Sequence, residues 1–444
     1  MRRRTFLATS SFGTMFAAGK SWALSPHSLS SAAEEAYIYA MPLIENAASR
    51  AASFANEGAV PNRIFHDRKL ATPAFRSVTA PNNDTLYSRA WIDLGGGPVT
   101  IEIPPMGDRY HSVAFMDMYG NNFAVLGTRT TGGGGGRFTL VGPQEGRADF
   151  RTIQSPTNSV WMLVRTLVDG EADLAAVHGL QDRIKVSGPA RPLPAPYAPR
   201  NAPWPALLET VQRLIVENAP PITDERLFSR LGPLGIGPRG GFDAVRFTDA
   251  DAKLIAAGID SARARLAGTR RQGALVNNWV YPKANCGFYG EDYFYRGQVA
   301  LGGLGALPRV EAMYMRAVGP GGNIYFPPGQ DYHMRFEAAG MPAVNSFWSL
   351  TMYERTADGR FFLIENPIAR YAVGDRTPGL HYGSDGSLDL WLGAARPASA
   401  DRAANWLPTS PDRDWGVVFR AYLPKDELLS GDYRLPPLEL ATSL

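Results

Sequence analysis

The chain has 444 residues, 45% of them apolar and 20% charged, with a formal net charge of +3. That length exceeds what one hydrophobic core usually organises, so two or three domains are expected. Three of the positive charges are Arg2, Arg3 and Arg4, so the remainder is near neutral and gives no support to nucleic-acid binding. The single cysteine, Cys286, excludes an intrachain disulfide and any Cys-based zinc or iron–sulfur site.

The first element is an address. In "MRRRTFLATSSFGTMFAAGKSWALS", Arg3-Arg4-Thr5-Phe6-Leu7 fits the twin-arginine pattern, and Ser21-Trp22-Ala23 forms a small-x-small cleavage site. Residues 1–23 are therefore expected to act as a leader read by the twin-arginine export machinery, giving a periplasmic or secreted protein exported already folded. No apolar run is long enough to predict a membrane span.

Residues 24–72 form an N-terminal helical segment, with a helix expected over 31–58 that Pro42 splits or kinks and Gly58 ends. Strands follow over 73–168. "VTIEIP" alternates Val99, Ile101 and Ile103 against Thr100 and Glu102, the period of a half-buried strand. "HSVAFMDMYG", "NFAVLGTR", "RFTLVG" and "SVWMLVRTLV" read the same way, and the five glycines 132–136 predict a flexible hairpin tip. Residues 169–307 read as helical, with Thr248 capping a helix that carries Leu254, Ile255, Ile259 and Leu266 at helical spacing. From 308 to 444 strands return: "EAMYMRAV", "NIYFP", "YHMRFEA", "FWSLTMYE", "FFLIEN", "SLDLWLG" and "WGVVFRAYLP", with Asp-Gly hairpin turns at "TADGRFF" and "SDGSLDL". The fold class expected is mainly β with a helical middle, its last part an antiparallel sandwich or jelly roll.

The blocks "PNNDTLYSRAWIDL", "RYHSVAFMDMYGNNFAVLG" and "VWMLVRTLVDG" resemble a bacterial module called domain of unknown function 1254. "FWSLTMYERTADGRFFLIENPIARYAVGD", "GSLDLWLG" and "NWLPTSPDRDWGVVFRAYLP" resemble its usual partner, domain of unknown function 1214. The resemblance implies an N-terminal immunoglobulin-like sandwich, a helical middle and a C-terminal jelly roll. It implies no activity, and fold alone would not supply one.

Candidate chemistry starts at Asn82-Asn83-Asp84-Thr85, directly in front of a strand. These residues suit an Asx-type turn that satisfies local backbone groups; they also suit a polar site at the mouth of a sheet. In the strand itself Leu86, Ser88, Ala90, Ile92 and Leu94 share one face, and Tyr87, Arg89, Trp91 and Asp93 the other. Asp117 shares a face with Val113 and Phe115, and Arg165 with Trp161, Leu163 and Leu167. A buried ion must be paired or change protonation state. A buried network of Asp84, Asp117, Arg89 and Arg165 is thus expected, as a structural salt bridge or as a base with an anion clamp. Asn82, Asn83, Tyr87, Trp91 and Tyr119 would line it.

The C-terminal part offers a parallel case. Ser349, Thr351 and Tyr353 share one strand face, and Arg420 and Tyr422 share another, lining a polar cavity or forming the solvated side of a sheet. Asn366, Arg370, Tyr371, Asn405 and Trp406 lie in loops near strand ends. Metal is weakly supported: none of the 6 histidines pairs with another at a ligand spacing. The sequence names no cofactor.

The leading expectation is an enzyme acting on a small polar or carboxylate-bearing compound, with Asp84 as base and Arg89 or Arg165 as anion clamp. The alternative is a non-catalytic periplasmic protein binding a metabolite or glycan. A third reading is an interaction module building a homo-oligomer.

Overall fold

The computed structural model describes residues 26–56, 58–76, 78–146, 149–189, 191–268 and 273–441; the leader expected at residues 1–23 lies outside them. Within the described residues the fold is mixed α and β, with four sheets.

The first two sheets form a sandwich. Its strands are β1 (Phe65–His66), β2 (Thr85–Asp93), β3 (Val99–Ile103), β4 (His111–Asp117), β5 (Asn122–Gly127), β6 (Gly136–Val141), β7 (Thr152–Gln154), β8 (Ser159–Leu167) and β9 (Lys185–Ser187). One sheet runs β1-β2-β8-β4-β5 and the other β7-β6-β3-β9. The alternation read in β2 places Ala90 and Ile92 inward, where they meet Val113, Phe115, Met162 and Val164 from their own sheet and Val99, Ile101 and Leu140 from the facing one.

The second sandwich uses β10 (Gly273–Val276), β11 (Trp279–Pro282), β12 (Ala312–Ala317), β13 (Tyr332–Phe336), β14 (Trp348–Arg355), β15 (Phe361–Leu363), β16 (Ala372–Gly374), β17 (Leu388–Gly393), β18 (Trp406–Pro408), β19 (Trp415–Tyr422) and β20 (Glu439–Leu440). Its large sheet runs β10-β11-β12-β19-β14-β15 with β16 also on β14, and its small sheet runs β18-β17-β13-β20. Trp348, Leu350, Met352, Val417 and Phe419 from the large sheet pack on Met334, Phe336, Leu388, Leu390 and Leu392 from the small one.

The helices gather around α1 (Pro26–Asn56), which packs against α3 (Trp204–Glu217), α4 (Glu225–Leu231), α5 (Asp249–Gly268) and α6 (Tyr293–Gly302); α2 (Leu174–Gln181) follows β8. At the α1–α5 crossing a Cβ on Gly258 would stand 2.1 Å from the carbonyl oxygen of Ser30, so only glycine allows that approach. Thr248 caps α5 as expected: its hydroxyl accepts from Asp251 N at 3.2 Å while the Asp251 carboxylate accepts from Thr248 N at 3.0 Å.

Several expectations are corrected. Pro42 does not split α1, which runs unbroken through it; the neighbours Met41, Leu43 and Ile44 are fully buried, and that packing outweighs one lost backbone bond. "NIYFP" contributes only a bridge between Phe326 and Trp415. The stretch read as helical contains β9 and the β10–β11 hairpin. Glycines 132–136 are not a hairpin tip, because β5 and β6 belong to different sheets; Gly136 opens β6, and 132–135 lie in a crossover loop held to the 104–107 segment, where Gly133 O accepts from Met106 N at 2.7 Å. The Asp385-Gly386 turn likewise joins no hairpin, since β16 and β17 lie in different sheets.

The two sandwiches meet along a seam. The outer face of the β2–β8–β4 sheet meets the outer face of the large C-terminal sheet. Tyr110, Ala114 and Leu167 from the first share one apolar cluster with Ala312, Phe347 and Tyr422 from the second. Phe347 and Tyr422 stack at 4.1 Å, and Tyr110 stands edge-on to both.

Candidate functional site

The polar turn before β2 is both things its composition allowed. Asn82 Oδ1 accepts from Asp84 N at 2.6 Å and from Thr85 N at 3.1 Å, an Asx turn. Asn83 Nδ2 donates to Ala71 O at 2.6 Å. The other groups of the turn look across the seam. Asn82 Nδ2 donates to the Tyr422 hydroxyl, and the Asp84 carboxylate accepts from Ser349 Oγ at 2.7 Å.

Ser349, Thr351, Tyr353, Arg420 and Tyr422 are all buried, so this face of the large sheet is not its solvated side. Arg420 Nη1 donates to Thr351 Oγ1 at 2.7 Å; its Nη2 donates to Tyr353 OH at 2.6 Å and to Ala80 O at 3.0 Å. Tyr353 OH donates in turn to Pro81 O at 2.8 Å. The segment leading into Asp84 is thereby fastened to β14 and β19.

Asp84 is only 7% exposed. Burial pushes its carboxyl above the usual aspartate range, and the charge of Arg420, the Ser349 hydrogen bond and the charge of Arg376 draw it part of the way back. It lines, with Ser349, Arg370, Tyr371, Arg376 and Thr377, a pocket of about 350 Å³. Arg370 Nη1 is held by Ala404 O at 2.7 Å and Trp406 O at 3.0 Å. Arg376 stacks over Phe347 at 4.5 Å, pairs with Asp169, and keeps a buried Nε without a partner among the described residues. A buried carboxyl raised above its ordinary range thus stands beside a hydroxyl and two guanidiniums on the pocket wall.

The expected network of Asp84, Asp117, Arg89 and Arg165 is not formed. Arg89 pairs with Asp67 at 2.7 Å and packs over Phe65, away from Asp84. Asp117 stands at the other end of the sheet: Thr85 pairs with Leu167 but Asp117 with Val160, which at roughly 3.3 Å per residue is about 23 Å along β8. There its carboxylate accepts from Asn121 N at 2.8 Å, and burial raises it to about 6. Trp91 stacks on Trp161 at 5.2 Å, and Tyr119 donates to Asn218 O at 2.8 Å beside Arg296; both belong to the helical core and not to the site. Tyr87 and Arg165 do face the seam, with the Arg165 guanidinium 5.2 Å from the Tyr87 ring centre.

Sequence reasoning missed Arg376, Tyr314 and Arg316. A signal existed for the last two: in "AMYMRA" they alternate with Met313, Met315 and Ala317, a polar face opposite an apolar one. Among the described residues no three His, Cys, Asp or Glu side chains converge as a metal ion would need, and no helix is long and apolar enough to cross a membrane.

Residues 61–188 match the model described as Protein of unknown function (DUF1254), and residues 311–426 match Protein of unknown function (DUF1214). The chain belongs to this two-part family. Asp84 comes from its DUF1254 part, and Ser349, Arg376 and Arg420 from its DUF1214 part. Among solved structures, the VPA0106 protein from Vibrio parahaemolyticus is 23% identical with a TM-score of 0.69, covering 93% of this chain and 100% of that one, which shows a shared fold. A protein from Burkholderia cenocepacia is 13% identical with a TM-score of 0.46, covering 94% of each chain. No curated protein matches the DUF1254–DUF1214 chain.

Proposed function

We propose that this protein is an enzyme acting on a small, polar, anion-bearing compound by acid–base chemistry, with Asp84 as the group that moves the proton. The observation that carries the reading is the state of Asp84. It is buried at a pocket of about 350 Å³, its carboxyl raised by that burial, with Ser349 Oγ its one side-chain hydrogen-bond donor among the described residues. Ser349 binds Oδ2, and no side chain among the described residues donates to Oδ1. A raised carboxyl is a stronger base than a free aspartate and gives the proton back more slowly, so the charge of Arg420 and the Ser349 bond balance the two directions. Arg370 and Arg376 on the wall attract the anionic group.

In the same reading residues 1–23 direct export of the folded protein to the periplasm or medium, and the two sandwiches are the immunoglobulin-like and jelly-roll forms that the family resemblance implies. The test is an NMR-monitored panel of small hydroxy, keto and unsaturated acids with the purified protein. The expected result is conversion of one compound class, abolished in Asp84→Asn. A ligand bound tightly with no product formed would select the binding-protein reading instead.

A further inference from the structure

Across the row formed by Ser349, Arg420 and Tyr314 on β14, β19 and β12, the seam buries a second group of polar side chains. The lining of the Asp84 pocket stops at Asp84 and Ser349 and includes none of this group. Arg165 is 5% exposed, and its Nη2 donates to Gly305 O at 2.9 Å. Its Nε and Nη1 have no partner among the described residues. Tyr87, Tyr314, Tyr110 and Tyr422 surround it. One row further, Arg316 lies over the Phe361 ring at 5.0 Å, with no carboxylate against it among the described residues.

Charge makes this arrangement unusual. Arg165, Arg316 and Arg420 enter the seam as three guanidiniums. Asp84 serves Arg420, and Glu311 is already engaged by Arg129 at 2.7 Å and Tyr110 OH at 3.1 Å. A buried guanidinium without a counter-ion is costly, and Arg316 has the Arg420 guanidinium as a like-charged neighbour. Tyr87, Tyr314 and Arg316 are half-buried and keep some accessible surface, so each borders open space on one side. Tyrosine rings around free N–H donors offer flat apolar walls with a charged floor, which suits an organic acid better than a fully hydrated inorganic anion.

We propose that Arg165, Tyr87, Tyr314 and Arg316 enclose a chamber that binds an organic carboxylate, with Arg165 as its anchor against the rings of Tyr87 and Tyr314 and Arg316, one row beyond Tyr314, as a second cation. This goes beyond the proton-transfer reading and would hold even if Asp84 moved no proton.

The test is calorimetric titration of the full purified chain with benzoate and succinate, using benzamide as a neutral counterpart and inorganic phosphate as the competing anion. At least one carboxylate binds, benzamide and phosphate do not, and Arg165→Met and Arg316→Met each weaken binding about tenfold or more. Tyr314→Phe keeps the ring packing and weakens binding by a smaller factor, so the test survives poor folding of an arginine variant. Without ligand, Arg165→Met melts at or above the wild-type temperature, because it removes an unpaired buried charge. Binding of neither carboxylate, equal binding of phosphate, or unchanged affinity in both arginine variants and Tyr314→Phe overturns the proposal. So does a ligand-free Arg165→Met that melts far below wild type, which would make the guanidinium a structural brace. Asp84→Asn binds the carboxylate as wild type does, so loss of turnover there separates the two proposals.

Discussion

Ser349 Oγ donates a 2.7 Å hydrogen bond to Asp84 Oδ2 across 265 residues of chain, joining the turn before β2 to the middle of the large C-terminal sheet. Neither sandwich alone contains the site. Removing the donor in Ser349→Ala leaves the buried carboxylate without that partner, so the carboxyl rises further and the fold loses about 1–3 kcal/mol at neutral pH. Paired urea titrations at pH 5 and pH 7.5 check this: the loss is larger at pH 7.5, where the ionised form needs the bond most.

Asp117 gives a stability prediction with a defined sign. Its carboxyl stands at about 6 in the folded chain against an ordinary 3.8, because burial outweighs the Asn121 bonds. Between those values the folded state binds more protons than the unfolded one, so this contribution is fully present below pH 4 and is lost as pH rises through 6. Asp117→Asn does not titrate. The stability of wild type relative to this variant should therefore fall by up to about 3 kcal/mol from pH 4 to pH 7, measured by denaturant unfolding.

A second tie crosses the seam at its edge, where Glu354 accepts from Arg76 at 3.1 Å and Arg413 at 3.0 Å. Both arginines are about half exposed, so the gain is modest and screened. Glu354→Gln should lower stability by about 1 kcal/mol at low ionic strength, with the difference shrinking in 1 M salt.

Tyr422→Phe removes the acceptor of Asn82 Nδ2 while keeping the stack on Phe347. The expected cost is about 1 kcal/mol, with faster amide exchange at Asp84 and Thr85, whose N–H groups rely on the orientation of Asn82.

Much of this was legible in the sequence, and the limits have physical causes. Period-two alternation placed Ser349, Thr351 and Tyr353 on one face and Trp348, Leu350 and Met352 on the other, as the structure has them. A polar sheet face reads the same whether it meets water or another polar face, so the burial of one sheet on the other was not legible. Alternation also fixes a side without fixing distance along the strand, which is why Asp117 was grouped with Asp84 although they occupy opposite ends of the sheet. Arg376 sits in the turn after β16, where no periodicity marks a direction. Asn82 satisfied both readings of its turn, since one amide oxygen closes it and the amide nitrogen reaches Tyr422.

The central claim is that Asp84 is chemical and not structural, and Asp84→Asn tests it most directly. Asparagine keeps the shape and can still accept from Ser349 Oγ, so turnover of the substrate class found by the panel should vanish while the melting temperature moves by only a few degrees. Retained turnover, or a collapse in melting temperature that accounts for its loss, would contradict the claim.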